Sequence, residues 1–475
     1  MFKSKDPLIQ KAIDFANNSL VGKKRVSGED FLAHCLKTAQ ILEKLKVTDP
    51  ITLSVAILHH SLAHGAATYE DLTEQFGEEI AQMIKTLDGL RVIKFIDTPE
   101  LNFAENIRKM ILAMAKDLRI VLIKLADIYD NLQTLKFLPR DKQIESAKET
   151  LEIFAPLTER LGIGELKGQM QDLAFKALLP QEYLKVFKML KNKRENLEKQ
   201  LLKTKAELTR ELKEEKIEYR IESRTKYLYS LFLKLKRPEI DYDISKIYDL
   251  IAFRLIVQNT EDCYRVLGII SKIFRPMPGG ISDFIANPKP NGYQSIHIKI
   301  FGPNEQPFEI QIRTEKMHEE AEFGVAAHWN YAEIKSQGAS DEKLTKGVLA
   351  SSEKLKWVKN LSKWQEGIAD NGEFLRNVKN DFFASRIFVF TPKGDVKDLP
   401  QGATPVDFAY TVHSNLGDNA NGAKVNGKQT GLDYKLKNGD VCEVSAQKGK
   451  KPNRDWLNFV VTSMARRKIK KAYLD

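Results

Sequence analysis

Two prolines and a glycine fall within the six residues Asn287–Gly292, so no helix can run through them. They predict a rigid loop that holds Lys289 and Asn291 out on a fixed backbone. From Tyr293 the residues alternate: Tyr293, Ser295 and His297 fall on one side, and Gln294, Ile296 and Ile298 on the other. That period of two predicts a strand. Phe308–Arg313 alternates in the same way, with Glu309, Gln311 and Arg313 against Phe308, Ile310 and Ile312. Gly302–Pro307 between the two runs reads as a hairpin turn. One face is apolar and belongs against a core. The other carries phenol, imidazole, carboxylate, amide and guanidinium groups. Such a face suits a nucleotide: Tyr293 to stack on a base, Lys289 to meet phosphate, and Asn291, His297 and Gln311 to read base edges or hydroxyls. Glu309 is suited to hold a metal or take a proton. Alternation alone also fits a half-solvated hairpin.

Upstream, Ile217–Ser223 alternates as a strand. Lys226, Ser230 and Lys234 follow at a spacing of four, on one helical face, and a basic stripe at a helix start suits a polyphosphate. An exposed lysine stripe is the plainer alternative. Tyr248–Val257 reads as an apolar strand interrupted by Asp249 and Arg254, and a buried carboxylate is costly without a use.

Ala286–His297, Phe308–Thr314 and Met317–Trp329 resemble the synthetase domain of the RelA/SpoT family, enzymes that make and break the alarmone (p)ppGpp. The resemblance extends over nearly all of the chain. It implies transfer of the pyrophosphoryl group of ATP to the 3′-hydroxyl of GDP or GTP. It makes Asp249 and Glu309 the Mg2+ ligands. Arg224 and Arg254 become the planes around the adenine, and Arg224, Lys226, Ser230 and Lys234 the ATP phosphate contacts. It assigns Lys289, Asn291, Tyr293, His297 and Gln311 to the guanine nucleotide.

The 475 residues exceed one ordinary core. The expected architecture is a multidomain chain. An all-α domain occupies 1–185, a connecting helix 186–216, a mixed α/β nucleotidyltransferase-like domain 217–336, a helical linker 337–385, a small ubiquitin-like α/β domain 386–446, and the start of a helical region 447–475. A formal charge of +11 suits anionic partners without identifying them. Three widely spaced cysteines fit a reducing cytoplasm with no disulfides and no zinc site built on them. No apolar run approaches a membrane span, and Met1–Pro7 lacks the apolar core of a signal peptide.

In 1–185 apolar residues recur at helical spacing, as in Leu122, Leu125, Tyr129 and Leu132. His34, His59, His60, His64 and Asp127 are scattered through it as possible metal ligands. Arg25–His34, Leu58–His59 and Lys124–Asn131 resemble the family's HD-type hydrolase domain, which implies manganese held by His, His-Asp and a distant Asp. Arg25, His34, His59, Asp127, Asn131 and Thr134 match its pocket. Here, however, the doublet is His59-His60, and Ala63-His64 replace the acidic pair of active hydrolases. Imidazole for carboxylate removes charge from a hard ion, and the lost acids removes the groups that orient water. The expectation is a surviving fold without hydrolysis, which weakens the case for manganese there. A bifunctional enzyme in which His60 serves as a nitrogen ligand is the alternative.

Leu190, Leu197, Leu201 and Leu208 form a sparse seam on a charged helix. In the linker, Trp357, Leu361 and Trp364 stand at helical spacing. Thr404-Pro405-Val406-Asp407 is a helix start, and Asn-Gly pairs mark two turns. Arg386–Val444 resembles a TGS domain, which implies a ribosome and deacylated tRNA as partners and His413 as a tRNA contact. A docking regulator without catalysis is a further alternative. Longer family members continue into regulatory domains, so a short member or part of a longer chain is expected.

Overall fold

The computed structural model describes residues 4–63, 65–90, 99–289, 291–302, 307–328, 386–447 and 449–473. The chain divides into two compact units. Among the described residues the chain begins with the α-helices α1 (Pro7–Ser19), α2 (Phe31–Lys44), α3 (Pro50–Leu58), α4 (Tyr69–Phe76), α5 (Glu78–Gly89), α6 (Pro99–Lys116), α7 (Leu118–Gln133), α8 (Arg140–Glu149), α9 (Ala155–Arg160) and α10 (Gly164–Leu178), all in the first unit except the part of α6 up to Arg108, which is grouped with the second. Short polar residues start several of them. Asp6 accepts from the Leu8 and Ile9 amides, Asp49 from Thr52, and Thr68 and Asp71 close a reciprocal box at α4. α3 lies buried along its whole length after Ile51 and packs on α1, α2, α5 and α7. The expected helical domain is therefore present, and its centre is where His59 emerges.

α11 (Pro180–Glu214) is a single helix of 35 residues. It starts six residues before the expected connector, because Pro180 is well placed in a first turn. It is no free strut. Val186 and Leu190 pack with Phe175, Leu231, Phe232 and Leu235. Leu201, Leu208 and Leu212 pack under the sheet. Each such leucine contributes about 1.5–3 kcal/mol by burial. The expected seam is thus buried at Leu190, Leu201 and Leu208, and the Leu197 side chain lies outside those described.

The mixed domain contains β1 (Tyr219–Thr225), α12 (Leu228–Leu235), β2 (Ile251–Val257), α13 (Thr260–Ile273), β3 (Arg275–Asp283), β4 (Ile296–Phe301), β5 (Pro307–Thr314) and α14 (Glu315–Phe323). The sheet order is β1-β2-β5-β4-β3, with β2 and β5 parallel and the other pairs antiparallel. Ile251, Phe253, Leu255, Ile296, Ile298, Ile300, Phe308, Ile310 and Ile312 all face one core, with α11 and α13. The apolar side of the hairpin is the one its alternation marked. Two boundaries differ from expectation. The strand begins at Ile296 rather than Tyr293, because the Tyr293 carbonyl accepts from the Lys289 amide at 3.1 Å and so is taken out of the strand ladder. β2 begins at Ile251, so Asp249 stands just ahead of the strand rather than within it.

The second unit includes β6 (Arg386–Phe390), β7 (Val396–Pro400), α15 (Pro405–Val412), α16 (Ser414–Asp418), β8 (Ala420–Val425), β9 (Lys428–Thr430), β10 (Cys442–Ala446) and α17 (Ser463–Lys471). β6 pairs with β7, and β8 lies between β10 and β9. Asn426 and Gly427 both have positive φ, as the tight turn between β8 and β9 requires. Asp407 is fully buried. It accepts from the Thr404 amide and hydroxyl at 2.9 Å and from the Thr462 amide and hydroxyl at 2.8 Å. Through it, and through Val460, Ala465 and Ile469 against Val406 and Tyr410, the residues after 446 pack on this small domain. The linker with Trp357, Leu361 and Trp364 lies outside the described residues, as does His64.

Candidate functional site

The polar face of the sheet is built by strand register. Glu309 pairs with Ala252 across β5 and β2, Gln311 with Arg254, and His297 with Gln311 across β4 and β5. Asp249, three residues before Ala252, comes within the field of Glu309.

Lys226 Nζ and Lys234 Nζ both donate to Asp249 Oδ2, each at 2.7 Å. Burial works against the Asp249 charge, yet the two ammonium groups hold its carboxyl down at about 2. Burial, and the neighbouring Lys234, lower Lys226 despite its bond to Asp249. Asp249 Oδ1 is buried and makes no hydrogen bond. Such an oxygen, on a carboxylate within the field of a second one, fits a hard cation such as Mg2+.

Glu309 is held from two sides. Gln311 Nε2 donates to Glu309 Oε1 at 2.9 Å, and His297 Nδ1 lies 3.2 Å from the same oxygen. The Tyr293 hydroxyl meets His297 Nε2 at 2.7 Å. The chain is consistent in one tautomer: Tyr293 donates to Nε2, and Nδ1–H donates to Glu309. Burial pushes the Glu309 carboxyl up, but His297 and Gln311 bring it below its ordinary value. Lys289 Nζ lies 4.6 Å from the Phe284 ring centre and 5.0 Å from that of Tyr293. Burial lowers its pKa. Asn291 Oδ1 accepts from the Tyr293 amide at 3.2 Å and shapes the loop.

Arg224 lies with its guanidinium 5.2 Å from the Tyr227 ring centre. Arg254 is only 6 % exposed. Its Nη2 is 2.7 Å from Glu322 Oε1, which also faces Arg313 Nη2 at 3.6 Å. Burial and the other two arginines lower Arg254 to about 10. Sequence reasoning did not single out Glu322 or its role in pairing two buried arginines. No local pattern marks it, since α14 carries several other acidic residues.

One expectation is corrected. The spacing of Lys226, Ser230 and Lys234 pointed to a helix whose N-terminus faces phosphate. α12 starts only at Leu228, and Lys226 lies before it, bonded through its amide to the Leu250 carbonyl at 2.9 Å. The first free amides of the helix are occupied. Leu228 N donates to Asp172 Oδ2 at 3.1 Å, and Tyr229 N to Asp172 Oδ1 at 2.9 Å. Asp172 belongs to α10 of the helical domain. On the same helix, Gly168 lies so close to Tyr227 that a Cβ would sit 2.1 Å from the ring. The Tyr227 hydroxyl donates to the Glu165 carbonyl at 3.2 Å. One helix thus grips the segment that carries both lysines. Gly324 makes the second junction: its φ is +55°, a Cβ would lie 2.1 Å from the Leu161 carbonyl oxygen, and Val325 N donates to that same oxygen at 2.9 Å.

The helical domain holds a second cluster. His34, His59, His60 and Asp127 are all buried, and their ligand atoms lie within 4.8 Å of one another. Arg25 bonds Asp130, Asn131 and Thr134, and Asn131 Nδ2 donates to Asp127 Oδ1 at 2.7 Å. Asp130, not singled out from the sequence, is one helical turn beyond Asp127 and meets His34 Nδ1 at 2.6 Å. That spacing of three was the signal for it. In the second unit His413 is exposed and its Nδ1 accepts from the Asn415 amide at 3.2 Å, so it caps α16.

Residues 223–336 match the family model described as the region found in RelA / SpoT proteins, residues 12–164 the HD domain, and residues 387–446 the TGS domain. The chain is 43 % identical over 98 % of its length to a GTP pyrophosphokinase of Myxococcus xanthus, covering 60 % of that protein. It is 40 % identical over 97 % of its length to the bifunctional (p)ppGpp synthase/hydrolase SpoT of Escherichia coli, covering 64 % of it. The chain therefore spans under two thirds of the length of these relatives. Among solved structures, small alarmone synthetase 2 of Bacillus subtilis aligns at 25 % identity over 37 % of this chain and 96 % of its own, with a TM-score of 0.26.

Asp172→Ala removes the cap that α10 gives to α12. The Leu228 and Tyr229 amides are then expected to exchange with solvent about ten- to a hundredfold faster, the range for a hydrogen bond to a charged group. Hydrogen exchange read by mass spectrometry checks this, and unchanged protection would show that the helix does not depend on Asp172.

Proposed function

We propose that the chain is a member of the RelA/SpoT family and that its mixed domain is a (p)ppGpp synthetase. The observation that carries this reading is Asp249, clasped by Lys226 and Lys234 through one oxygen and open at the other, within the field of Glu309. This arrangement suits phosphoryl chemistry, in which positioning and charge compensation do most of the catalysis.

ATP would lie along Arg224, Lys226, Ser230 and Lys234, with Arg224 and Arg254 toward the adenine. Arg254 reaches that role from a buried position, braced by Glu322. The guanine nucleotide would stack on Tyr293, with Asn291, Gln311 and His297 ordering it. Lys289 would leave the two aromatic rings for phosphate. Mg2+, where bound by Asp249 and Glu309, supplies neutralisation of the phosphate oxygens. The ribose 3′-oxygen of GDP or GTP attacks the β-phosphorus of ATP. The bond from that phosphorus to the α-phosphate oxygen breaks, and AMP leaves with the oxygen. The hydroxyl proton passes to Glu309, which His297 and Gln311 orient. Lys226 and Lys234 offset charge on the transferring group.

The helical domain reads as a hydrolase that has lost its reaction. His60 stands in place of a carboxylate, and Ala63 offers no acid to orient water. The clustering of His34, His59, His60 and Asp127 favours a second reading, in which the pocket still binds a metal and supports slow hydrolysis. The relatives include a bifunctional synthase/hydrolase, which suits that alternative. For the TGS domain, the exposure of His413 suits a contact with the 3′ end of deacylated tRNA on the ribosome.

Glu309→Gln and Asp249→Asn should each lower pyrophosphate transfer by orders of magnitude while leaving the fold intact. Tyr293→Ala should weaken guanine nucleotide binding by about 1–3 kcal/mol, the range for base stacking. Full turnover in Glu309→Gln would remove the assignment. Purified ppGpp with manganese should release no pyrophosphate. Robust release that Asp127→Ala abolishes would instead make the enzyme bifunctional. Finally, His413→Ala should reduce stimulation of synthesis by ribosomes carrying deacylated tRNA and spare basal synthesis; equal loss of both would assign His413 a folding role.

A further inference from the structure

The buried cluster of the helical domain differs in kind from a manganese site. His34 lies on α2, His59 caps the end of α3, His60 follows it, and Asp127 lies on α7. The ligand atoms of all four are within 4.8 Å of one another. Three are imidazole nitrogens and one is a carboxylate oxygen. Asp127 has little further charge to give: Lys124 Nζ donates to its Oδ2 at 2.9 Å, and Asn131 to its Oδ1. A hard ion such as manganese favours several oxygen ligands, and among the described residues this cluster gives it one.

The imidazoles are set for a metal. His34 bonds Asp130 Oδ2 through Nδ1 at 2.6 Å, which leaves Nε2 for the cluster. That Nε2 is buried, makes no hydrogen bond, and lies 3.2 Å from Asp127 Oδ1. His59 bonds the Ala56 carbonyl through Nδ1 at 2.6 Å, so its Nε2 carries the lone pair and lies 3.9 Å from Asp127 Oδ1. A carboxylate behind His34 and a carbonyl behind His59 make the arrangement that fixes the tautomer of metal-bound histidine. His60 packs its ring 4.4 Å from His59, 5.0 Å from His34 and 4.7 Å from Phe31, measured between centres, and so cannot swing out to solvent without unpacking.

We propose that this pocket is a closed three-histidine, one-aspartate site that selects a borderline divalent ion of the zinc class over manganese, with His60 as the fourth protein ligand. Four protein donors complete a tetrahedral shell and leave no position for a water or substrate oxygen. His60 then accounts for lost hydrolysis by two routes: it removes charge, and it fills the place where water would be activated. The ion would tie α2, α3 and α7 together, a structural role. The proposal is independent of the synthetase reading, because its readouts do not involve synthesis.

The test is metal binding by the full chain, using zinc, manganese and cobalt ions alone as probes. Equilibrium dialysis with elemental analysis should give one zinc per chain, bound about a thousandfold more tightly than manganese. Zinc should raise the thermal unfolding temperature, and manganese at equal concentration should not. Cobalt should show the intense visible absorption of a four-coordinate ion. Selectivity for zinc is common to many sites, so His60→Asp is the discriminating variant: it should convert the cobalt spectrum to the weak six-coordinate form and narrow the zinc-to-manganese gap by about tenfold or more. His34→Ala should abolish binding, and circular dichroism will show whether each variant is folded. Binding of no ion by the wild-type chain, equal affinity for zinc and manganese, or an unchanged cobalt spectrum and selectivity in folded His60→Asp would each overturn the proposal.

Discussion

Two ammonium groups converge on one carboxylate oxygen, and the order of the mixed domain's site depends on that contact. Lys226 precedes α12, Lys234 ends its last turn, and Asp249 lies ahead of β2. None of these positions is fixed by the sheet alone. The Lys226 amide on the Leu250 carbonyl brings the two segments together. Asp172 pins the start of α12 from the helical domain. Two positive charges held close would repel, and Lys226 has its pKa lowered in consequence of burial and of Lys234. Asp249 offsets both. An incoming polyphosphate would take over that role and leave the carboxylate to the cation. The resting pairing keeps the lysines ordered and gives them something to exchange.

The two sites of the first unit are chemical opposites. The mixed domain sets two carboxylates among lysines and arginines, a setting for hard cations and phosphate. The helical domain sets three imidazoles around one carboxylate already bonded to Lys124 and Asn131, a setting for a softer ion. α10 and the Leu161–Gly324 junction connect the domains that house them. The contacts are short and the junction glycines leave no space for a side chain. A change at one site that displaced α10 would therefore reach Lys226 and Lys234 through Tyr227 and Asp172, provided two arrangements of that helix exist.

Much of this was legible from residue order alone. The apolar alternation of Ile296, Ile298, Ile310 and Ile312 marked the core face of the hairpin, because a strand has a period of two and one face must be buried. Thr404, Pro405 and Asp407 marked a helix start, and Asn426-Gly427 a tight turn, because both depend on neighbours in sequence. What stayed hidden depends on partners far along the chain. Asp172 caps a helix 56 residues away, and Glu322 braces Arg254 from α14. Neither carries a local pattern. The stripe of Lys226, Ser230 and Lys234 misled in one respect for the same reason: its spacing was right for a helix, but Asp172 already occupies the amides that a phosphate would have used.

The central claim concerns which bond of ATP breaks, and the fate of the nucleotide products tests it most directly. ATP labelled in its β- and γ-phosphates is incubated with GDP, Mg2+ and the full chain, and the products are separated and quantified. The account predicts AMP and a guanosine tetraphosphate in equal amounts, with both labelled phosphates on the 3′ oxygen of the guanosine. Formation of ADP with a single labelled phosphate transferred, or release of the label as free phosphate or pyrophosphate without a guanosine product, would contradict it.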